Sequence, residues 1–219
     1  MKEQAGRMRS AMKSDRFDYS TKAFSCRIAE LEVQHAKQIK PADLILVTGD
    51  SDITYWSTLE EDLLPWNAWN CGFGGATTRQ VAYYADRLIL PHRPSRVILN
   101  AGDNDLGKGA TPEEVVGDTD WFVSKLLEAV PDVRIFIMSL KRTELREPFW
   151  KKIQETNRRL GEYAHGDQRL RFVNVTTVML HPDQSVRTDL YRDDRLHLNE
   201  AGYRVFAGVI RQALAGEEG

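Results

Sequence analysis

The chain has 219 residues, of which 42% are hydrophobic and 28% charged, and its formal net charge is −2. That size and balance suit a single soluble α/β domain spanning 1–219. The near-neutral charge gives no electrostatic reason to expect nucleic acid or an anionic membrane as partner.

Residues 1–16 are polar and read as flexible. They contain no apolar core of signal-peptide length, and no later run could span a bilayer, so the expectation is a cytoplasmic protein without membrane insertion. The two cysteines, Cys26 and Cys71, lie outside any C-x-x-C spacing. Two buried thiols are expected, with neither a disulfide nor a metal site.

A leading helix is read over 21–38, where Phe24, Ile28, Leu31 and Val33 approximate a helical stripe ended by Ile39-Lys40-Pro41. Leu44 begins a buried strand that breaks at Gly49-Asp50-Ser51. Ile53 to Leu64 reads as one helix stopped by Pro65. Trp66 to Cys71 is a second strand running into the Gly-rich turn Gly72-Phe-Gly-Gly75. Thr77 or Thr78 caps a helix through Leu90, and Ser95 to Asn100 is a third strand breaking at Ala-Gly-Asp-Asn-Asp. Thr111-x-x-Glu114 is a capping box opening a helix to Val130. Val133 to Leu140 is a fourth strand, and a loop with Pro148, Phe149 and Trp150 leads to a helix ending near Ala164. Leu170 to Val175 is the fifth strand, and Asn199 caps a last helix to about Leu214. Strands alternating with helices predict a parallel sheet covered on both faces by right-handed crossovers. Trp56, Trp66, Trp69 and Trp121 read as packing residues.

Open sheets of this kind bind ligands at the carboxyl ends of their strands. Ser51 stands at the first such end, either as a nucleophile or as a cap for the next helix. A serine hydroxyl needs a base to take its proton and a group to orient that base. Asp194-x-x-His197, in a loop before the last helix, supplies both. Glu32/His35 and Glu162/His165 share the spacing but fall on helices, where it is a routine contact. His181 has Asp183 close by. Acyl transfer also needs donors for the oxygen that becomes negative. The glycine turn at 72–75 offers backbone N–H groups, and Asn104 offers a side-chain amide.

These four patches resemble the motif blocks of the GDSL, or SGNH, hydrolase superfamily: Gly49-Asp50-Ser51, Asn70-x-Gly72-x-x-Gly75, Gly102-x-Asn104-Asp105 and Asp194-x-x-His197. The stretches Thr54-Tyr55-Trp56, Gly72–Thr78 and Ala101–Asp105 resemble the bacterial branch similar to platelet-activating-factor acetylhydrolase subunits. The resemblance implies a flavodoxin-like three-layer α/β/α sandwich with strand order 2-1-3-4-5, core 44–214. It implies Ser51 as nucleophile, His197 as base and Asp194 as its orienter. The Ser51 N–H, Gly75 N–H and Asn104 side chain would form the oxyanion hole, and neither metal nor cofactor is called for. The partner would be a small-molecule ester, with short acyl groups favoured by the absence of a long apolar lid; a homodimer is the default assembly. The family's fourth signature residue is usually Leu, and here it is Asp52. As a solvated helix start it would be unremarkable, since an acid suits a helix N-terminus; facing the pocket, it would disfavour anionic substrates. Asp50 and Trp150 are the other candidates for lining that pocket.

Other readings fit less well. A nucleotide module is disfavoured because the glycine turn lacks the third glycine of G-x-G-x-x-G and no P-loop occurs. An α/β-hydrolase would need a glycine after Ser51 at the G-x-S-x-G position, and a metallohydrolase would need clustered ligands. An acyltransferase would use the same residues as an esterase, and a non-catalytic interaction protein is argued against by the intact Ser51, Asn104, Asp194 and His197.

Overall fold

A computed structural model describes residues 23–216; the expectation of flexibility at 1–16 lies outside them. Strands β1 (Ile45–Gly49), β2 (Ala68–Gly72), β3 (Arg96–Asn100), β4 (Arg134–Met138) and β5 (Leu170–Val173) form one sheet in the order 2-1-3-4-5. Every pairing is parallel. The β1 register aligns Gly49 with Gly72 on one side and Asn100 on the other, so three strands end level.

Successive side chains of a strand point to opposite faces, and this divides the core in two. Leu46, Leu99, Ile135 and Ile137 meet α1 (Ser25–Ala36), α4 (Thr78–Leu88), α6 (Pro112–Ala129) and α7 (Trp150–Ala164) through Leu31, Val81, Phe122 and Leu160. Ile45, Val47, Ile98 and Phe136 meet α2 (Ser51–Thr54), α3 (Leu59–Asp62) and α8 (Glu200–Ala215) through Ile53, Leu59 and Phe206. The product is the expected three-layer α/β/α sandwich. One more short helix, α5 (Asp103–Gly107), follows β3.

Helix starts follow local chemistry. Thr77 and Thr111 each close a capping box, with Gln80 and Glu114, and the Asn199 side chain accepts the Gly202 N–H. Each such cap contributes about 1 kcal/mol. Strand ends are cut by side chains. Ser139 Oγ accepts the N–H groups of Val175 and Thr176 at 2.9 and 3.1 Å, which ends β5 at Val173 rather than Val175.

Three expectations are corrected. The single helix over Ile53–Leu64 is instead the two short helices α2 and α3. Asn70 Nδ2 donates to the carbonyls of Ile53 and Trp56 at 2.7 and 3.3 Å, and the buried Trp56 indole donates to Asp62 at 2.7 Å, so the chain between them folds around side chains. Cys26 is exposed, because it lies on the outer side of α1; Cys71 is buried, and burial raises its thiol pKa. Trp150 is the first residue of α7, not a loop residue, and packs beside Leu106, Leu140 and Ile153. No described helix is long and apolar enough to cross a membrane.

Candidate active site

At the end of β1 the backbone of Gly49 adopts φ +153°, and a Cβ there would stand 2.0 Å from the Asn100 carbonyl oxygen, so only glycine fits. The chain then turns into α2. Asp50, not Ser51, is the cap: its Oδ1 accepts the Asp52 N–H at 3.0 Å. Ser51 is thereby released from capping, and its Oγ lies 2.9 Å from His197 Nε2. The Ser51 and Gly75 N–H groups have no acceptor among the described residues.

The imidazole comes from the loop before α8. Asp194 Oδ1 accepts the N–H groups of Leu196 and His197 at 3.0 and 2.9 Å, wrapping one turn of chain around the carboxylate. Its Oδ2 stands 2.7 Å from His197 Nδ1. Burial alone would raise the Asp194 pKa, but the hydrogen bonds of His197 and Leu196 outweigh it and pull the carboxyl down to about 2. Asp194 therefore stays ionised across the working pH range. The competing pairs separate: Glu32 binds Arg87, Glu162 binds Arg158, and Asp183 binds Ser185.

The two donor loops are laced together. Gly75, at φ +81°, sits in the turn after β2, and a Cβ at neighbouring Gly74 would lie 3.8 Å from Ser51 Cβ. Asn104 Nδ2 donates to the Ala76 carbonyl at 3.1 Å and lies 3.4 Å from Asp50 Oδ2. Asp105 accepts the Thr78 N–H at the start of α4, and Lys108 Nζ reaches the Gly75 carbonyl at 3.1 Å. The structure thus brings Ser51, Asp194, His197, Gly75 and Asn104 to one end of the sheet.

Burial is the main cause that pushes the Asp105 carboxyl up to about 7, against the pull of the Thr78 N–H. A free aspartate titrates near 3.9, so the unfolded chain sheds this proton first. Stability from this group is full below about pH 4 and is lost as pH rises to about 7. Asp105→Asn keeps the acceptor but not the titration. Urea midpoints at pH 5 and 8 should therefore show the variant losing roughly 2–3 kcal/mol less than the parent over that interval. His35 and His92, whose pKa values burial lowers, and Asp118, whose carboxyl burial raises to about 6, are present in both proteins, so the comparison reads the difference made at Asp105. Equal losses would mean that Asp105 is ionised throughout.

The three pocket candidates are placed differently. Asp52 is not a solvated helix start: it is 5% exposed and its Oδ2 lies 2.5 Å from Lys141 Nζ, which neutralises it and removes the ground for a repulsion of anionic substrates. Burial opposes the Lys141 charge, but Asp52, Asp103 and Tyr191 together hold its pKa above the ordinary lysine value. Asp50 is also buried, and burial, Asp52 and Asp103 hold its carboxyl well above the usual range. Its visible work is to cap α2 and meet Asn104. Trp150 stacks under the Arg142 guanidinium, 4.9 Å from its ring centre.

Sequence reasoning missed Tyr55. Its ring meets the His197 imidazole edge to face, centres 4.9 Å apart, and Arg192 lies 5.1 Å from its ring centre. The available signal was spacing: four residues after Ser51, Tyr55 returns to the same side of the turn. Among the described residues no group of three or more His, Cys, Asp or Glu is arranged to hold a metal.

Comparison with known proteins bears on the family and the fold. The profile of the GDSL-like lipase/acylhydrolase family matches residues 40–205. No curated protein matches the chain. Among solved structures, a Streptococcus pneumonia protein provisionally assigned as a platelet activating factor is similar at 22% identity and TM-score 0.76, covering 89% of this chain and 92% of its own. A GDSL-like lipase from Bacteroides thetaiotaomicron is similar at 20% identity and TM-score 0.71, covering 90% and 98%. An acetylxylan esterase from Geobacillus stearothermophilus, solved as a catalytic mutant, is similar at 16% identity and TM-score 0.64, covering 80% and 94%. At these identities the likeness speaks for the fold.

Proposed function

Because the chain belongs to the GDSL-like lipase/acylhydrolase family, whose members hydrolyse carboxylic esters, we propose that it is a serine esterase working through Ser51, His197 and Asp194. The observation that carries this reading is the unbroken relay from Asp194 Oδ2 to His197 Nδ1, 2.7 Å, and from Nε2 to Ser51 Oγ, 2.9 Å. As Ser51 Oγ attacks the ester carbonyl, its proton passes to Nε2, and the ionised Asp194 stabilises the imidazolium. The carbonyl oxygen becomes an oxyanion, for which the Ser51 and Gly75 N–H groups and the Asn104 amide are the donors. The imidazolium then returns the proton to the leaving alcohol. Water, activated by His197, releases the acid from Ser51 and restores the hydroxyl.

We read the acyl group as short. The glycine turn beside Ser51 is braced by Asn104, Asp105 and Lys108, and structurally similar proteins include an acetyl esterase and an acetylxylan esterase. A chain-length series of p-nitrophenyl esters tests this directly. The kcat/KM for acetate and butyrate should exceed that for decanoate by at least about tenfold, the scale on which a pocket discriminates methylenes. A preference rising with chain length would overturn the short-acyl reading. A transferase would instead pass the acyl group to an added alcohol in the same assay.

A further inference from the structure

The six residues Lys141–Arg146, in the segment that follows β4, bond to three chain segments flanking the site without supplying a reacting atom. Lys141 pairs with Asp52, the residue after the nucleophile, and the two side chains are 5% and 8% exposed. The carbonyl of the next residue, Arg142, accepts the Tyr191 hydroxyl at 2.8 Å, at the start of the loop that carries His197. The Leu145 N–H donates to the Arg195 carbonyl in that loop at 3.4 Å, and Glu144 lies 3.6 Å from the Arg195 guanidinium. Arg146 Nε reaches both oxygens of Asp103, at 2.9 and 3.1 Å, beside the oxyanion donor Asn104. Thr143, itself buried, accepts the Arg146 N–H through both its hydroxyl and its carbonyl, which closes the segment into a turn.

We propose that Lys141–Arg146 is a brace that fixes the nucleophile turn, the imidazole loop and the Asn104 helix relative to one another, with Lys141 as the positioning residue that anchors it beside Ser51. The anchor is unlike an ordinary packing contact. A buried ion pair is expensive to desolvate, and apolar side chains of similar volume are commonly as stable or more so. What a charged pair supplies and an apolar pair does not is a direction. Lys141 holds Asp52 from the segment after β4 while the Tyr203 hydroxyl holds the Asp52 carbonyl at 2.9 Å from α8, the helix that follows His197. The groups facing the pair are Asp50, Asp103 with its partner Arg146, Tyr191 and Tyr203.

This inference rests on Ser51 being the nucleophile, and its test separates the two. A fluorophosphonate probe counts competent serines in each variant, so turnover is expressed per reactive site. Lys141→Met should lower kcat per site by about 30-fold, within the range that an ångström of misplacement produces, with KM changed by less than about threefold. Asp52→Leu with Lys141→Met replaces the pair by apolar contact and should melt at the parental temperature or higher, yet keep kcat per site at least about tenfold down. Recovery of kcat together with Tm in the double variant would overturn the brace and leave the pair as filling. So would unchanged turnover per site in Lys141→Met; if that single variant does not fold, the double variant alone decides. A parent enzyme that takes up no probe would overturn the serine-esterase reading instead, and the brace with it.

Discussion

Ser51→Ala is expected to lower kcat by about 10⁴-fold or more while leaving the fold and the melting temperature essentially unchanged. The size follows from the chemistry removed. Without the hydroxyl there is no acyl-enzyme, and water must attack the carbonyl in one step with only the oxyanion donors to help. The fold should tolerate the change because Asp50 rather than Ser51 caps α2, and among the described residues Ser51 Oγ is bonded only to the imidazole. A loss of stability alongside the loss of rate would mean that the hydroxyl has a structural partner the geometry does not show.

His197→Ala should cost a similar factor, about 10⁴, and the double variant Ser51→Ala/His197→Ala should be no slower than either single one. The reason is that a nucleophile and its base act as a unit, so removing the second part of a broken unit costs nothing further. Two independent contributions would instead multiply. Steady-state rates for the three variants, corrected for background hydrolysis, decide between these outcomes. A strictly multiplicative double variant would argue that His197 acts on something other than the Ser51 proton.

Much of this site was legible in the sequence because its parts are local. Three of the four motif blocks are strand ends with their own small residues, and in the fourth Asp194 reaches His197 within one turn of chain. Buried apolar strands alternating with amphipathic helices likewise predict a parallel sheet covered on both faces, whereas the order 2-1-3-4-5 is what the family resemblance implies. What escaped was everything decided by distant partners. Asp52 reads as a solvated helix start until Lys141, 89 residues away, closes over it. The split of one expected helix into α2 and α3 depends on Asn70, which reaches back to the Ile53 and Trp56 carbonyls. Cys26 was assigned to the interior on residue type, whereas its place on α1 turns it outward. Trp150, read as a loop residue, begins a helix because Arg142 stacks over it and the Leu140 cluster receives it.

The relay of hydroxyl, imidazole and carboxylate can be probed at its reactive end by one labelling measurement. The intact enzyme is treated with a fluorophosphonate ester, digested, and its peptides are mapped by mass. One adduct is expected, on the peptide containing Ser51, appearing in step with loss of esterase activity and absent from the Ser51→Ala protein. An adduct on another residue, or full hydrolysis by protein already labelled at Ser51, would contradict the account at its root.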